Sequence, residues 1–360
     1  ESNGNFIVTK PNGTGGIVSF GSVAEQFLYE IGDPRAYILP DVVCDFTNVT
    51  MEELEPNRVL VRGAKGLSPT DTYKVSATYL KGYRISIAVI IVGIKATEKA
   101  QVSAEAIIKK TQRIFSENGW SNYVDKKISI IGTEVTYGDN ARPTQPREVL
   151  LRIMATHEQK EALILLSREI AQASTGMTPG FTNMLGGRPS VSPSIRLFSF
   201  LISKEDVKAT IDINGKQLLL DLPNEGGFEV DEISTEPVVF DKLEATDAEV
   251  PLVKLAYARS GDKGDHANIG VIARKSEFLP YIRAYLTPER VAAYFAHVVK
   301  GKVDRWDLPG IGAFNFLLRN SLGGGGMASL NVDPQGKAYA QQLLDIIIPV
   351  PRKITEEVNK

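Results

Sequence analysis

Residues 84–202 alternate between two hydrophobic periodicities in an order that few folds allow. Four segments are rich in β-branched and aliphatic residues, as strands are, and two place apolar residues three and four positions apart, as amphipathic helices do. In chain order they are strand 84–94, helix 98–118, strand 127–137, strand 148–156, helix 158–173 and strand 194–202. This order is typical of the split βαβ, ferredoxin-like arrangement. We therefore predict a ferredoxin-like unit over about residues 84–203.

The chain before this unit begins with a strand and a helix. Residues 6–9 are a predicted strand, and a glycine-rich turn follows at 13–16. The next helix is predicted at 22–31 with Ser22 as its N-cap, because Glu25 would complete a capping box.

The chain after the unit contains a hairpin, a boundary and a second set of elements. Asn214-Gly215 predicts a β-hairpin, and the acidic stretch 225–249 predicts a domain boundary. The remaining predicted elements are strands 252–258 and 268–273, helices 277–286 and 288–300, strand 314–318 and helix 336–347. We predict an α+β fold (an α/β sandwich) with a larger domain at 1–245 and a smaller, ferredoxin-like domain at 246–360.

The net charge, the cysteine count and the length of the apolar runs limit what this chain can bind and where it can lie. The net charge of −2 and the isoelectric point near 6.1 give no basis for binding nucleic acid or an anionic membrane. Cys44 is the sole cysteine, which excludes an intrachain disulfide and fits a reducing compartment. The longest apolar run, 85–94, is too short to span a bilayer. We expect a soluble, cytoplasmic protein. The sequence also allows a location in the mitochondrial matrix, because a presequence removed on import would have preceded this chain.

The segment 259–270 places three glycines and four charged side chains between two apolar runs, which suits a core poorly. We predict a loop joining two strands, in which glycine lets the backbone approach a ligand. A lysine there can hold a phosphate or thioester oxygen, and an aspartate can transfer a proton. The predicted catalytic residues are Asp262, Lys263, Asp265, His266 and Asn268, and the predicted ligand contacts are Arg259, Ser260, Gly261 and Gly264. The alternative is a solvated turn whose charges only keep it soluble.

His266 has a particular role among these candidates. It can act as a general base that Asp265 orients. Adjacent side chains of an extended segment point to opposite faces, however, so we rank the two aspartates, Lys263 and Asn268 above it.

The segment 259–274 resembles the signature of the C-terminal, ferredoxin-like domain of the acyclic terpene utilisation (AtuA) family. The segments that resemble the larger domain of that family are 13–18, 26–34, 40–46, 63–66 and 72–76. The resemblance implies a protein that accompanies the breakdown of citronellol-type and related branched acids through coenzyme A thioesters. It also implies a further N-terminal region, so the chain would be a fragment, a processed product or one half of a split protein that a partner subunit completes.

Two further sets of residues are candidates for an anionic ligand. The turn formed by Thr14, Gly15 and Gly16 precedes a helix N-terminus, where backbone N–H groups can bind phosphate such as the coenzyme A pyrophosphate. The resemblance adds Lys65 and Lys74 as contacts.

A metal site has little support in the sequence. Asp41 and Asp45 would share one face of a helical turn and could bind magnesium, but Pro-Asp is also common in turns, and we predict no metal site. The glycine run 323–326 is predicted to border the cleft of the 259–270 segment or an interface, and the loop 175–189 is predicted to be a lid or an interface.

Two classes of function remain. The first is an enzyme of acyclic terpenoid or branched-chain acid catabolism, a homo-oligomer without a covalently bound cofactor, that acts on an acyl-coenzyme A or a related carboxylic acid by hydratase, lyase or isomerase chemistry. The second is a non-catalytic scaffold or accessory subunit of an acyl-coenzyme A carboxylase-type complex. The sequence does not decide between them. An enzyme predicts that Asp262, Lys263 and Asp265 converge in a concave pocket, and a scaffold predicts that they lie on a flat rim.

Overall fold

The computed structural model describes residues 3–183, 186–221, 226–229 and 243–359. By compactness the chain divides into two units. Unit 1 comprises Glu1–Ser76, Ser199–Ser321 and Gln335–Lys360, and unit 2 comprises Ala77–Phe198 and Leu322–Pro334. This division by compactness does not test the predicted domains, 1–245 and 246–360, which remain a prediction. Most of the acidic stretch predicted as a boundary, 225–249, lies outside the described residues.

The N-terminal part of unit 1 is a helix with two small sheets. Its elements are β1 (Phe6–Thr9), α1 (Phe20–Phe27), β2 (Tyr37–Ile38), β3 (Val43–Asp45), β4 (Thr50–Glu55), β5 (Arg58–Arg62) and β6 (Lys65–Leu67). The sheet orders are β1-β5-β4 and β2-β3-β6. Helix α1 begins earlier than predicted, because Ser19 is the N-cap and Ser22 is the N3 residue of its capping box.

Unit 2 confirms the predicted order of elements. They are β7 (Thr72–Val92), α2 (Ala96–Glu117), β8 (Asp125–Ile131), β9 (Glu148–His157), α3 (Lys160–Gly176), β10 (Phe181–Asn183) and β11 (Val191–Ser203). The first five residues of β7 and the last five of β11 belong to unit 1. The sheet order is β10-β7-β9-β8, with β11 also paired to β7, so the third strand of the pattern lies between the first and second. Strand β8 is shorter than the predicted 127–137, because Gly132 turns the chain with φ 111°.

The C-terminal part of unit 1 is built on an antiparallel four-stranded sheet. Its elements are β12 (Thr210–Ile213), β13 (Lys216–Leu219), β14 (Ala248–Pro251), β15 (Ala256–Lys263), β16 (His266–Ala273), α4 (Leu279–Tyr285), α5 (Pro288–Tyr294), β17 (Val303–Leu308), β18 (Ala313–Leu318), α6 (Tyr339–Leu343), β19 (Ile347–Val350) and α7 (Arg352–Val358). The large sheet has the order β15-β16-β18-β17, β14 pairs with β19, and β12 pairs with β13 at the predicted hairpin. The α+β fold class is confirmed.

Two predicted elements of this part have the wrong structure over part of their length, and one strand was not predicted. Residues 252–254 form a short 3-10 helix rather than the start of a strand. The last helix is confined to α6, since the apolar residues that follow it form β19. Strand β17 was not predicted, because its charged and aromatic sequence lacks an alternating pattern.

Separate apolar cores stabilise the two units. In unit 1, α1 packs on the large sheet through Ala24 and Leu28, which contact Ile272 and Ala313. In unit 2, α2 and α3 cover one face of the sheet, where alternate residues of β7 and β9 are buried. None of the helices that the structure describes is long and apolar enough to cross a membrane.

Candidate functional site

The segment 259–270 is a β-hairpin and not the predicted loop. Strands β15 and β16 pair as far as Lys263 and His266, which leaves a two-residue turn at Gly264 and Asp265. Gly264 has φ 65°, which favours glycine. Because side chains alternate along a strand, Asp262 and Lys263 point to opposite faces of the hairpin. The structure therefore does not bring Asp262, Lys263 and Asp265 together in one pocket.

Two glycines of the hairpin allow the end of α1 to lie against it. A Cβ atom at Gly261 would lie 2.7 Å from both the Glu30 Cγ and the Tyr29 Cε2. A Cβ atom at Gly270 would lie 2.5 Å from the Leu28 Cβ. The segment after α1 packs on the strands at distances that only glycine permits, so Gly261 serves packing within the chain.

Two buried asparagines hold this segment in place. Asn268 and Asn315 both have 0% exposure. The Asn268 side chain donates to the Leu28 carbonyl (2.7 Å) and to Asn315 Oδ1 (3.0 Å), and it accepts from the Glu30 N–H (3.0 Å). Asn315 donates to the carbonyls of Ile31 and Gly32. Asn268 is thus placed where it fixes the backbone, with its polar atoms occupied by other protein groups.

Glu30 lies in the turn that these asparagines hold in place, and its backbone is strained. Its φ is 59°, in the left-handed region that glutamate rarely adopts. Such strain often accompanies function. Lys337, which precedes α6, donates to Glu30 Oε1 (2.7 Å) and to the Tyr29 hydroxyl, and lies 3.3 Å from Asp262 Oδ1. Lys337 therefore joins two carboxylates across the edge of the sheet.

These contacts change the acidity of both partners. Burial alone would raise the pKa of Glu30, but the hydrogen bonds from Lys337 and Tyr29 lower it below its usual value of 4.5. Burial alone would lower the pKa of Lys337, but its bonds to Glu30, Tyr29 and Asp262 raise it. Both groups are accordingly charged at neutral pH.

Lys263 differs from Lys337 because it is half-buried and lacks a direct counter-ion. Its ammonium nitrogen lies 5.5 Å from the centre of the Tyr37 ring. Within the described ranges it has no carboxylate oxygen within 4 Å. Burial lowers the pKa of Lys263 and the charge of Lys74 lowers it further, while Glu30 and Asp262 oppose this shift. The side chain is consequently a cation that another anion could stabilise.

The face of Asp262 is occupied largely by contacts within the chain. Gln335 donates to Asp262 Oδ1 at 3.4 Å. Ser260 is buried, donates to the Lys337 carbonyl (3.3 Å) and accepts from the Ala340 N–H (2.9 Å). Ser260 thus anchors the start of α6 with both functions of its hydroxyl.

His266 and Asp265 contact the chain that follows β18. His266 Nδ1 accepts from the Asn320 N–H at 2.9 Å, and the Asp265 carbonyl accepts from the Ser321 N–H at 2.9 Å. In a histidine that acts as a general base, Nδ1 is the atom that an orienting carboxylate would bond. In this structure Nδ1 of His266 is bonded to a backbone N–H instead.

Cations outnumber carboxylates around the end of the hairpin, counting both of its faces. The Arg259 guanidinium lies over the Tyr29 ring at 4.7 Å, and Lys337 lies over the same ring at 4.4 Å. With Lys263 and Lys74 these make four cations. The carboxylates near these cations are those of Glu30, Asp262 and Glu25, which interacts with the charge of Arg259, so a formal surplus of one positive charge remains. We call these residues the Lys263 cluster: Tyr29, Glu30, Tyr37, Lys74, Arg259, Asp262, Lys263 and Lys337.

Among the described residues, no hydrogen bond or ion pair joins Thr14, Gly15, Gly16 or Lys65 to this cluster. Thr14, Gly15 and Gly16 are exposed, and at the start of α1 the Phe20 N–H donates to Glu53 while Ser19 accepts from the Ser22 N–H. These own-chain acceptors occupy positions that a phosphate would use. Lys65 is exposed on β6, opposite Asp45.

The predicted helical turn at Asp41 and Asp45 is wrong. Asp45 lies in β3 and accepts from the Thr47 N–H at 2.8 Å, so the two carboxylates do not share a helix face. Within the part of the chain that the structure describes, no group of three potential ligands could hold a metal ion.

Sequence reasoning missed Tyr29, Glu30, Tyr37 and Lys337 as members of the cluster. Lys337 is remote from the hairpin in sequence, and nothing in its local pattern distinguishes it from a solvated lysine. Tyr29 and Glu30 lie within a segment of family resemblance, which is the signal that could have found them.

Two family models match the sequence. One, described as acyclic terpene utilisation family protein AtuA, covers residues 1–213, and the other, the AtuA ferredoxin-like domain, covers residues 250–349. The first alone spans more than half of the chain.

The chain belongs to the AtuA family. This confirms the predicted resemblance, and it indicates a part in acyclic terpene utilisation. No curated protein and no solved structure matches the chain. In this AtuA-family chain the Lys263 cluster draws Tyr29 and Glu30 from the first matched region and Lys263 and Lys337 from the second.

Proposed function

We propose that this chain is an enzyme of acyclic terpenoid or branched-chain acid catabolism, and that the Lys263 cluster binds the carboxylate or coenzyme A thioester of its acyl substrate. Asp262, Lys263 and Asp265 do not converge in one pocket as the enzyme hypothesis expected, so these three residues together do not support the proposal. The observation that carries it is Lys263 alone, a half-buried cation of lowered pKa with no direct counter-ion among the described residues. An anionic group beside it would offset the cost of its burial.

The chemistry that suits such a lysine is proton transfer next to a thioester carbonyl. A thioester carbonyl carries no charge, so beside it the pKa of Lys263 stays lowered, and a lowered pKa increases the share of neutral amine at neutral pH. The amine takes the proton from the substrate carbon, the electron pair of the C–H bond enters the enolate, and the surrounding cations stabilise the negative oxygen. If the acyl chain has a β,γ double bond, return of the proton to the γ carbon moves the double bond to the α,β position, which is an isomerisation. If the β carbon carries a leaving group, that group departs with its bonding electrons as the enolate electrons form the new double bond, which is a lyase reaction.

Ligand-induced thermal stabilisation tests this function. Coenzyme A, branched acyl-coenzyme A thioesters and the corresponding free acids are added to the 360-residue chain, to Lys263→Ala and to Lys216→Ala. A ligand at 100 times its dissociation constant adds about 2.7 kcal/mol to the free energy of unfolding. We expect stabilisation of the wild type and of Lys216→Ala, an exposed control on β13, and its loss in Lys263→Ala. If the wild type responds to no member of the panel, the proposal is wrong.

The second candidate is the non-catalytic subunit, and the hairpin of β12 and β13 favours it. The pairing places Ile211, Ile213, Leu218 and Leu220 on one face, where each is between 41% and 56% exposed. An isolated two-stranded hairpin is marginally stable in water, so a partner protein or a second copy would stabilise it by covering this face.

Sedimentation of the wild type and of the double variant Ile213→Ser, Leu218→Ser distinguishes the candidates. An assembly that the double variant dissociates, together with no response to the ligand panel, would support a subunit role. Ligand binding by a chain that sediments as a monomer would support the enzyme.

A further inference from the structure

The glycine run 323–326 lies in unit 2 within a segment, Leu322–Pro334, that crosses the sheet. Gly323, Gly324 and Gly325 have φ between 68° and 95°. Gly323 and Gly324 are exposed, whereas residues 328–330 are buried. The run is thus an irregular, solvent-accessible turn at the edge of a buried segment.

Arginines of the sheet hold this segment on the face opposite α2 and α3. Arg84 of β7 donates to the Met327 carbonyl (2.5 Å) and the Ser329 carbonyl (3.3 Å). Arg152 of β9 donates to the carbonyls of Leu330 (3.0 Å) and of residue 331 (3.2 Å). Carbonyl oxygens satisfy these donors, but as uncharged groups they do not neutralise the guanidinium charges.

Arg196 of β11 lies beside the glycine run. A Cβ atom at Gly324 would lie 3.3 Å from Arg196 Nη1 and 3.2 Å from the Ala328 Cβ. The Arg196 Nε atom is buried, and it has no hydrogen-bond partner within the described residues. Glycine therefore lets the chain pass close to a guanidinium that still has donor capacity.

Arg84, Arg152 and Arg196 interact with one another's charges, and none of them forms an ion pair with a carboxylate of the described residues. Burial lowers the pKa of Arg84 and the charge of Arg196 lowers it further. Burial likewise lowers the pKa of Arg152, and the charge of Arg84 lowers it further. Within the described parts of unit 2, the ion pairs involve other side chains. Like charges held together in this way are stabilised by a bound anion.

We propose that Arg84, Arg152 and Arg196, with the glycine run 323–326, form a binding site for a phosphate-type oxyanion. Guanidinium groups match the geometry of phosphate oxygens, and a doubly charged phosphate offsets more of three positive charges than a carboxylate does. Exposed glycines leave room for the anion to reach the Arg196 side chain. The site belongs to unit 2 and is independent of the Lys263 cluster.

Calorimetric titration of the 360-residue chain tests the site. The probes are inorganic phosphate, pyrophosphate and adenosine 3′,5′-bisphosphate, each at constant ionic strength set with sodium chloride. We expect saturable binding of at least one probe. Tighter binding of the bisphosphate than of pyrophosphate would assign the site to a nucleotide-borne phosphate, and the reverse order would assign it to a free oxyanion. Absence of saturable binding for all three probes would overturn the proposal.

Variants test the residue assignment. Arg196→Gln should weaken binding by at least about tenfold, because it removes a charge-assisted hydrogen bond. Arg168→Gln, which removes an exposed arginine of α3, and Lys263→Ala should both retain the wild-type affinity. Equal losses in Arg196→Gln and Arg168→Gln would show unspecific attraction and refute the site. If Arg196→Gln does not fold, Arg196→Lys is titrated instead, and an unchanged affinity there would contradict the assignment.

Discussion

Replacement of Asn268 by alanine should destabilise unit 1 strongly, since it leaves three polar groups without partners. These are the Leu28 carbonyl, the Glu30 N–H and Asn315 Oδ1, which lie 2.7–3.0 Å from the Asn268 side chain. Each buried group that loses its partner costs about 1–2 kcal/mol, so the free energy of unfolding should fall by about 3–6 kcal/mol. Asn268→Asp should destabilise as well, because its second oxygen would face the Leu28 carbonyl and Asn315 Oδ1.

The two tryptophans allow this loss to be assigned to unit 1. Trp306 lies in unit 1 and Trp120 in unit 2, so urea unfolding followed by fluorescence in a Trp120→Phe background reports on the unit that contains Asn268. Gln217→Ala, at an exposed position of β13 in unit 1, is the control and should change the free energy of unfolding by less than about 0.5 kcal/mol. A loss below about 1 kcal/mol in Asn268→Ala would refute the proposed anchoring of residues 28–32.

Three other perturbations probe the same contacts and the core of unit 2. Gly261→Ala should lower the free energy of unfolding in urea by about 1–3 kcal/mol, because its Cβ would meet Tyr29 and Glu30. Gly32→Ala is the control, since no atom lies within 4 Å of its Cβ, and it should cause no such loss. Equal effects of the two variants would contradict the close approach at Gly261. Glu30→Gln should lower the urea midpoint at pH 7. Because the folded-state pKa of Glu30 lies below its usual 4.5, the difference between wild type and variant should be full above that value and should shrink as pH falls below it. A difference that stays constant as pH falls below 4.5 and further would be inconsistent with this. His157→Leu should lower the free energy of unfolding of unit 2 by about 2–4 kcal/mol, because the Ser121 carbonyl and the Gln159 N–H each lose a hydrogen bond to the buried ring. Calorimetry measures the change, and an unchanged stability would exclude these bonds as a source of stability.

Local patterns predicted the elements of unit 2 because each depends on residues close in sequence. Ile85, Ile87, Val89 and Ile91 alternate along β7 and enter one core, as a half-buried strand requires. The Asn214-Gly215 turn likewise forms its hairpin with φ values of 53° and 79°, which the dipeptide favours. The observed ends of elements differ from the predicted ones where a single residue sets the end, as the N-cap Ser19 does for α1.

The candidate site could be predicted only in part. The sequence singled out residues 259–268 by their glycines and charges, and Lys263 remains the residue on which the proposed function rests. Their arrangement was not predictable, because strand pairing through to Lys263 and His266 sends Asp262 and Lys263 to opposite faces. Asn268, predicted to be catalytic, proved to be a buried support of the Glu30 backbone.

The sequence by itself determined the kinds of elements, their order and the family, since periodicity and motifs are properties of neighbouring residues. Tertiary structure decided which side chains meet. Lys337 contacts Glu30 across 307 positions of the chain, and Asn315 bonds to Ile31 across 284. Such contacts depend on how α1 packs against the large sheet, and close packing of buried groups selects that arrangement only once the whole unit has formed.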